Sequence, residues 1–532
     1  MPSFSRRAKA LFSLLVVAAL TVTVRLPFLL HADRFFDSDE AVEGLMARHV
    51  LQGELPAFLW GQRYKGVPEV YLTAAVFSTA GPSVVALKAT TLACFALAAC
   101  LQFLLIQAWF SSRVAWMSTA LLIVGPPSLV LWTLSANAEV VLTLLAGAVM
   151  GLAFLRWERS GSNVALAVGA AAIGFGLWVH QYILYYVVSL AAFVVWTKPA
   201  VRARLHEILD GRGLPPWLRL ATSAVGVIAA VYFALGLAAF LTGGFDVTIG
   251  GLFIGMKNPQ KMWRLGAALL MVYGFARFAM QLLQPGHGDD RSMAMGALAG
   301  FLVGYAPVLA ANRGSLSLPL ARMDARDLAH AAGTIATYIV PMVLGFRSPV
   351  TEWLPMPMWL GIGVAAVIVV SFVALRRGNV SPFFHIFLIV VPIVFVASGS
   401  YHDPQSYRYV MPLFAALPVV LALGVGQIGQ WNKLAAGSAF AFLVLLFASQ
   451  ELAWYRRLAP DLRSQAALEC LTRNGVRGAL ADYWLSYKLT FLSGERVIVA
   501  PTNGVDRYPP YTAFVRSPGV AHDGQACQSL LQ

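Results

Sequence analysis

The stretch that decides the fold begins with the apolar run "LLVVAALTVTVRLPFLL" (residues 14–30) and continues as "FFDSDEAVEGLMARHVLQGE" (residues 35–54). An apolar run of about 20 residues is long enough to cross the hydrocarbon core of a bilayer. No small-residue cleavage site follows the run, so we expect a retained helix rather than a signal peptide. The carboxylates of Asp37, Asp39 and Glu40 therefore lie at the mouth of a predicted membrane span.

Similar apolar runs recur along the chain. Its 532 residues are 58% hydrophobic and 12% charged, whereas soluble proteins average about 25% charged residues. We predict a polytopic α-helical membrane protein with about thirteen transmembrane helices. The predicted crossings are residues 9–30, 84–110, 114–133, 139–156, 164–180, 182–197, 218–241, 263–284, 294–312, 356–375, 381–398, 410–428 and 433–452.

Basic residues in the short loops predict the orientation of the chain. Segments such as "SRRAK" (residues 5–9) and "KPAVRARLHEILDGRG" (residues 198–213) favour a cytoplasmic N-terminus. An odd number of crossings then places the C-terminus outside the cytoplasm. The number of helices in 313–355 stays open. The net charge of +14 is spread over these loops, which favours contact with membrane lipids and gives no indication of nucleic-acid binding.

The composition changes near residue 453, so we divide the chain into a transmembrane domain (1–452) and an extracytoplasmic C-terminal domain (453–532). In the second, "LRSQAALECLTRNGV" (residues 462–476) predicts an amphipathic helix. "GALADYW" (residues 478–484) and "ERVIVAP" (residues 495–501) predict strands. The C-terminal domain is therefore predicted to be a small α/β unit.

Four cysteines are present, and no CxxC or Cys/His spacing typical of structural zinc occurs. Cys470 and Cys527 both lie in the predicted outer domain, where oxidising conditions permit a disulfide. Spacing alone does not establish that the two residues are close enough to bond.

The acidic stretch has a local structural interpretation. The spacing of Asp37 and Glu40 is that of a capping box at a helix start. Val42, Leu45 and Met46 follow at helical spacing, which predicts an amphipathic helix in the membrane interface within the first outer loop, about 31–83.

A chemical interpretation takes in the rest of that loop. "LPAFLWGQRYKGVPEVYL" (residues 55–72) adds Arg63, Tyr64, Lys65 and Glu69. Acidic and basic groups held against an apolar surface are often functional. A carboxylate there is suited to act as general base on a hydroxyl, while a lysine or arginine stabilises a phosphate. The spacing does not decide between this interpretation and the structural one.

The order of these features resembles the first outer loop of GT-C superfamily membrane glycosyltransferases. The nearest comparisons are bacterial protein O-mannosyltransferase-like enzymes and lipid A aminoarabinose transferases. The resemblance implies that Asp39 is the catalytic carboxylate, with Glu40 and Asp37 beside it. Lys65 falls where those relatives carry a lysine before proline and is a candidate to bind the donor phosphate, and Arg63 is a further candidate by its location in the same loop. Here the proline comes three residues later, at Pro68.

The resemblance extends to "SYHDPQSYRYVMPLFAALPVVLAL" (residues 400–423), where Arg408 is a second candidate for donor phosphate. An interfacial Arg-Tyr anchor is the alternative explanation. Arg347, in the 313–355 loop, is a further phosphate candidate. The segments "SANAEV" and "WVHQYILYY" also resemble bacterial members. Candidate cavity residues are Asn137, Glu139, His180, Gln181, Tyr182, Tyr64 and Glu69.

The resemblance implies an inverting transfer of a sugar from a polyprenyl-phosphate donor to a hydroxyl of a protein, lipid or polysaccharide, at the outer face of the plasma (inner) membrane. No cofactor is required by the sequence. A divalent cation held by Asp39 and Glu40 is compatible with it. The Trp-Trp-Asp signature of oligosaccharyltransferases is absent, which disfavours en bloc glycan transfer to asparagine. A multi-pass transporter or flippase of lipid-linked glycans is the alternative function.

Overall fold

The computed structural model describes residues 6–137, 139–210, 215–249, 252–256, 258–283, 288–311, 325–347, 357–378, 380–398, 404–518, 520 and 527–531. Much of the predicted 313–355 loop, including Arg313 and Arg322, lies outside the described residues, so its helix count stays open.

The first part of the chain places a short hairpin and two helices between two long apolar helices. In order it contains α1 (Arg6–Leu29), a 3₁₀ turn (Ala32–Phe35), α2 (Ser38–Leu51), β1 (Phe58–Leu59), β2 (Gln62–Gly66), α3 (Pro68–Ala80) and α4 (Val84–Trp109). Strands β1 and β2 pair antiparallel. Helix α2 begins where the Asp37 side chain accepts a hydrogen bond from the Glu40 backbone N–H at 3.0 Å, as an aspartate cap does.

The middle of the chain is almost entirely helical. Its elements are α5 (Ser112–Ile123), α6 (Pro127–Trp132), α7 (Glu139–Ser160), α8 (Asn163–Val179), α9 (Ile183–Thr197), α10 (Pro199–Asp210), α11 (Pro216–Thr242), β3 (Phe245–Ile249), β4 (Leu252–Met256), α12 (Pro259–Leu283), α13 (Gly288–Ala311), α14 (Ala325–Thr334), a π-helical turn (Ile335–Ile339), α15 (Val340–Val343), α16 (Leu360–Arg376), α17 (Phe383–Ser398), a 3₁₀ segment (Pro404–Ala415), α18 (Leu417–Trp431) and α19 (Lys433–Tyr455).

Several of these helices are able to cross a membrane. Within the described ranges, six helices (α1, α4, α7, α11, α13 and α19) are long and apolar enough, or eight spans if each of two bent helix pairs counts as one. Large apolar side chains on α1, such as Leu11, Phe12 and Leu15, are exposed, as expected for a helix that contacts lipid. The described residues of the predicted crossings are mostly helical, although the predicted crossing 114–133 is interrupted between α5 and α6. The count of about thirteen crossings stays a prediction.

The last part of the chain forms a small α/β unit, which we call the tail unit. It contains α20 (Leu462–Arg473), β5 (Gly478–Ala481), α21 (Tyr483–Leu492), β6 (Ile498–Pro501), α22 (Pro509–Val515) and α23 (Gln528–Leu531). Strands β5 and β6 pair in parallel. The first strand is shorter than "GALADYW" predicted, because Asp482 caps α21 by accepting a hydrogen bond from the Trp484 N–H at 2.9 Å. A disulfide joins Cys470 and Cys527, whose Cα atoms are 5.9 Å apart.

Helix α2 lies against the tail unit. It packs on α3 and α21, and every residue from Ala41 to Ala47 is buried. At Gly44 a Cβ atom would lie 2.6 Å from Phe491 Cε2, so the missing side chain permits the close approach of α21. The apolar residues of α2 are therefore covered by protein, and the position of the helix in a membrane interface stays a prediction.

Candidate functional site

A cavity of about 530 Å³ lies where the turn before α2, the end of α6 and the 3₁₀ segment Pro404–Ala415 meet the tail unit. Its walls combine acidic, basic and aromatic side chains. The lining residues are Phe35, Phe36, Asp37, Asp39, Leu131, Trp132, Ser135, Asn137, Gln405, Tyr407, Arg408 and Trp484. The predicted site residues Asp37, Asp39, Asn137 and Arg408 are thus brought together.

Asp39 is the carboxylate most clearly exposed to this cavity and held in place. Its side chain is 23% exposed, and its Oδ1 lies 3.3 Å from a terminal nitrogen of Arg507. The same oxygen accepts a hydrogen bond from the Tyr483 hydroxyl. Among the described residues no hydrogen bond to Oδ2 is found. One oxygen of Asp39 is therefore fixed by the tail unit, and the other is available to a bound molecule.

Asp37 combines a local structural role with a position in the cavity wall. Its side chain caps α2 by accepting the Glu40 N–H. Burial, reinforced by the nearby Glu40 and Asp39 carboxylates, raises the pKa of Asp37 to about 7. Asp37 is therefore partly protonated near neutral pH, and its negative charge is smaller than that of an ordinary aspartate.

Glu40 lies outside the cavity wall, in a buried ion pair. Both of its carboxylate oxygens are 2.6 Å from Lys88 Nζ on α4. One of them also accepts the Ala136 N–H at 2.9 Å. Burial raises the pKa of Glu40, although Lys88 opposes this. The expected catalytic and metal-binding role of Glu40 does not fit this placement, because Lys88 already occupies both oxygens.

Lys65 is also buried, although it was expected to bind a donor phosphate. Its Nζ lies 3.0 Å from Glu43 and 3.5 Å from Glu139, and it donates a hydrogen bond to the Asn137 side chain. Burial alone would lower the pKa of Lys65, but Glu139 and Glu43 outweigh it and raise that pKa. With two carboxylates in contact, Lys65 has no excess positive charge for a phosphate.

The three expected arginines occupy different places. Arg408 lines the cavity, with its guanidinium carbon 5.0 Å from the centre of the Tyr409 ring. Arg63 is exposed and lines a second, mainly apolar cavity of about 820 Å³, together with Trp60 and Trp178. Arg347 packs over Tyr338 at 3.7 Å and is not part of the cavity wall among the described residues. Of the three expected arginines, Arg408 is the one that lines the cavity containing Asp39 among the described residues.

The remaining candidates are not among the described residues that line this cavity. His180 is buried, and its ring centre is 3.9 Å from that of Tyr182 and 6.2 Å from that of Tyr64. Gln181 lies between His180 and Tyr182 at the start of α9. Glu69 is buried on α3 and accepts a hydrogen bond from Thr91.

Sequence reasoning did not single out several residues of the cavity. Trp132 donates a hydrogen bond to the Tyr407 hydroxyl at 2.8 Å, and Trp484 supplies an exposed ring from the tail unit. Asp482 before Trp484 is a recognisable helix cap, but no local signal places that helix beside α2. Tyr483 and Arg507 were missed for the same reason.

The described part of the chain contains no group of three or more histidine, cysteine, aspartate or glutamate side chains placed to hold a metal ion. Of the two residues named for a cation, only Asp39 faces the cavity. The dependence on a divalent cation stays a prediction to test.

A second cluster ties α2 to the tail unit through His49. Its Nδ1 is 2.8 Å from Glu54, and its Nε2 is 2.9 Å from Glu495 and 3.2 Å from the Tyr511 hydroxyl. Arg48 also pairs with Glu495 at 3.1 Å. A histidine donates to two carboxylates at once only when both ring nitrogens carry protons. The contact is therefore strongest with charged His49.

Raising the pH is expected to weaken this contact. Burial disfavours charged His49, but Glu495 and Glu54 outweigh that effect and raise the pKa of His49. A raised folded-state pKa gives stabilisation that is complete below the unfolded-state pKa and is lost as the pH rises through the folded-state pKa. The midpoint of thermal unfolding in detergent should therefore fall as the pH rises above about 6.5, and fall less in His49→Gln.

The other groups around His49 keep their charge through this range. His49 and Tyr511 outweigh burial and lower the pKa of Glu495, while burial raises that of Tyr511. His206→Gln, on the exposed face of α10, is the matched control and should show the wild-type pH dependence. Equal pH dependence in wild type and His49→Gln would contradict the assignment.

Comparison with known proteins found no matching family model and no matching curated protein. Solved structures do show similarity. One is the oligosaccharyltransferase AglB from Archaeoglobus fulgidus in complex with an inhibitory peptide and a dolichol-phosphate, at 14% identity and a TM-score of 0.46 over 93% of this chain. Another is ArnT from Cupriavidus metallidurans bound to undecaprenyl phosphate, at 14% identity and a TM-score of 0.37 over 94% of this chain. The matches cover 65% of the AglB chain and 87% of the ArnT chain.

Proposed function

We propose that this protein is an inverting membrane glycosyltransferase of the GT-C type that moves a sugar from a polyprenyl-phosphate donor to an acceptor hydroxyl. The single observation that carries the proposal is that Asp39 and Arg408 line the same cavity. A carboxylate and a cation in one cavity provide a proton acceptor and a partner for a phosphate.

The reaction is one displacement at the anomeric carbon. The acceptor oxygen forms a bond to that carbon while its proton passes to Asp39. The bond from the anomeric carbon to the phosphate oxygen breaks, and the lipid phosphate leaves with the electron pair. Arg408 stabilises the negative charge that grows on the phosphate. Because phosphate is a good leaving group, no strong general acid is needed.

The aromatic lining supports a sugar as the molecule that reacts. Trp132, Tyr407 and Trp484 line the same cavity as Asp39. Their rings offer flat apolar surfaces to the C–H face of a sugar, and the Trp484 N–H and the Tyr407 O–H are able to form hydrogen bonds with sugar hydroxyls. Among the phosphate candidates, Arg408 is preferred over Lys65, since Glu43 and Glu139 already compensate the charge of Lys65.

The proposal includes a membrane arrangement. The chain crosses the plasma membrane about thirteen times, with its N-terminus in the cytoplasm and the tail unit outside. The cavity then opens at the outer face, where the headgroup of a polyprenyl-phosphate sugar reaches Arg408 from the lipid. The acceptor is a hydroxyl of a protein, lipid or polysaccharide.

Reconstitution separates this enzyme from a flippase. Purified protein in liposomes is supplied with undecaprenyl-phosphate hexoses and pentoses, tritiated in the sugar, and with envelope extract as acceptor. An enzyme moves tritium into a product whose sugar resists the mild acid that releases glycosyl phosphates. Protein-free liposomes are the control. Tritium that only becomes accessible on the opposite leaflet, with no acid-stable product, would establish transport and overturn the proposal.

A further inference from the structure

Two side chains of the tail unit converge on the carboxylate to which we assign the chemistry. The Tyr483 hydroxyl donates a hydrogen bond to Asp39 Oδ1, although the two residues are 444 positions apart in the sequence. Arg507 reaches the same oxygen at 3.3 Å, across 468 residues. Arg507 Nε also donates to the Tyr483 hydroxyl at 3.0 Å. The three side chains therefore form a closed hydrogen-bonded triangle.

The tail unit holds both partners rigidly. The Tyr483 N–H donates to the Asn503 side chain at 2.8 Å. The Tyr487 hydroxyl accepts the backbone N–H of Arg507 at 2.6 Å. The Arg507 side chain is only 9% exposed. Side chains that are held by hydrogen bonds near their own backbone and by burial among their neighbours determine the geometry of a group that they contact.

The phenol of Tyr483 is protonated, as a hydrogen-bond donor to Asp39 must be. Burial, with the adjacent Asp39 carboxylate, raises the pKa of the Tyr483 phenol. The phenol therefore keeps its proton at physiological pH, and the bond to Asp39 runs in one direction, from hydroxyl to carboxylate.

We propose that Tyr483 and Arg507 are positioning residues that bind Asp39 Oδ1 and leave Oδ2 aimed at the acceptor hydroxyl. This inference rests on the proposed function. It makes the tail unit a part of the active site, together with the Trp484 ring that lines the cavity. Without the tail unit, Asp39 would rotate about its side-chain bonds and Oδ2 would lose its fixed direction.

The test compares kcat and KM for transfer from tritiated undecaprenyl-phosphate hexose in the full-length protein. We expect kcat to fall about tenfold in Tyr483→Phe and about 100-fold in Arg507→Gln, with KM for the donor changed less than about twofold. Arg507→Lys should lose less activity than Arg507→Gln. Lysine keeps the positive charge but does not contact Asp39 and the Tyr483 hydroxyl at the same time, as the arginine does.

Arg473→Gln, at the exposed end of α20, is the matched control and should keep wild-type kcat. If Arg507→Gln does not fold, Arg507→Lys and Tyr483→Phe carry the test, since both keep most of the packing. If Arg507→Lys and Tyr483→Phe both keep the wild-type kcat while Asp39→Asn is inactive, the positioning role is overturned and the proposed function stands. A raised KM with unchanged kcat would show substrate binding instead and also overturn it. Full activity of Asp39→Asn would overturn the proposed function itself.

Discussion

Replacement of Asp39 by asparagine is expected to reduce the rate of sugar transfer by about 10³-fold, within the range that general-base catalysis contributes. Asparagine keeps an oxygen that accepts hydrogen bonds from Tyr483 and Arg507. It carries no negative charge and does not take up the acceptor proton. The fold should therefore survive while the chemistry is lost. The measurement is the initial rate of tritium transfer at matched amounts of protein in the membrane.

Two neighbouring aspartates provide controls for this substitution. Asp37→Asn should change the rate by less than about threefold, because asparagine caps a helix as well as aspartate does and Asp37 is already partly protonated. Asp33→Asn, in the exposed turn before α2, should have no effect. Equal rates in wild type and Asp39→Asn would mean that Asp39 is a structural residue. A large loss in Asp37→Asn alone would move the catalytic assignment to Asp37.

The second large effect is expected for stability. Lys88→Met should lower the free energy of unfolding by about 3–5 kcal/mol, the usual cost of removing one partner of a buried ion pair. Lys88 is completely buried, and both Glu40 oxygens lie 2.6 Å from its ammonium group. Methionine fills a similar volume but leaves the Glu40 carboxylate buried without a counter-charge. Unfolding of the purified protein in mixed micelles measures the difference.

A double substitution tests the cause of that loss. In Lys88→Met with Glu40→Gln the buried charge is gone, and the glutamine oxygen is still able to accept the Ala136 N–H, so more than half of the stability should return. Lys198→Met breaks a comparable pair with Glu158 that is largely exposed and should cost at most about 1 kcal/mol. If the double variant is as unstable as Lys88→Met, the loss comes from packing rather than from the unpaired Glu40.

The sequence predicted those parts of the site that depend on local spacing. Asp37 caps a helix, as its capping-box position indicated. Asp39 was singled out by the resemblance to GT-C enzymes, and it lines the same cavity as Arg408, while its catalytic role stays a prediction. Three neighbouring carboxylates nevertheless have three different surroundings. Asp37 caps α2, Asp39 faces the cavity, and Glu40 pairs with Lys88. A helix turns by about 100° per residue, so adjacent side chains point to different partners, and their spacing does not say which partner each one meets.

Long-range partners explain what the sequence did not predict. Lys65 was expected to bind phosphate, but Glu43 and Glu139 approach it from two different helices. The apolar spacing of α2 predicted a helix with an apolar face, and the missing information was that α21 packs against it. Phe491 and Gly44 make that contact. The sequence around each of these residues does not indicate that the other packs against it. Tertiary packing decides such pairings, whereas spacing along the chain reports only the local helix.

Asp39 and Arg507 lie near opposite ends of the chain, which has a consequence for when the proposed site is complete during synthesis. The two residues are 468 positions apart, and ribosomes add about 5–20 residues per second, so Arg507 is made roughly 25 to 90 s after Asp39. During that interval the growing chain already contains Asp39 but lacks the side chains that hold its carboxylate. If Asp39 carries the proposed chemistry, an unfinished chain, or one cut short before Arg507, should transfer sugar at least about 100-fold more slowly than the full-length chain, as expected for Arg507→Gln.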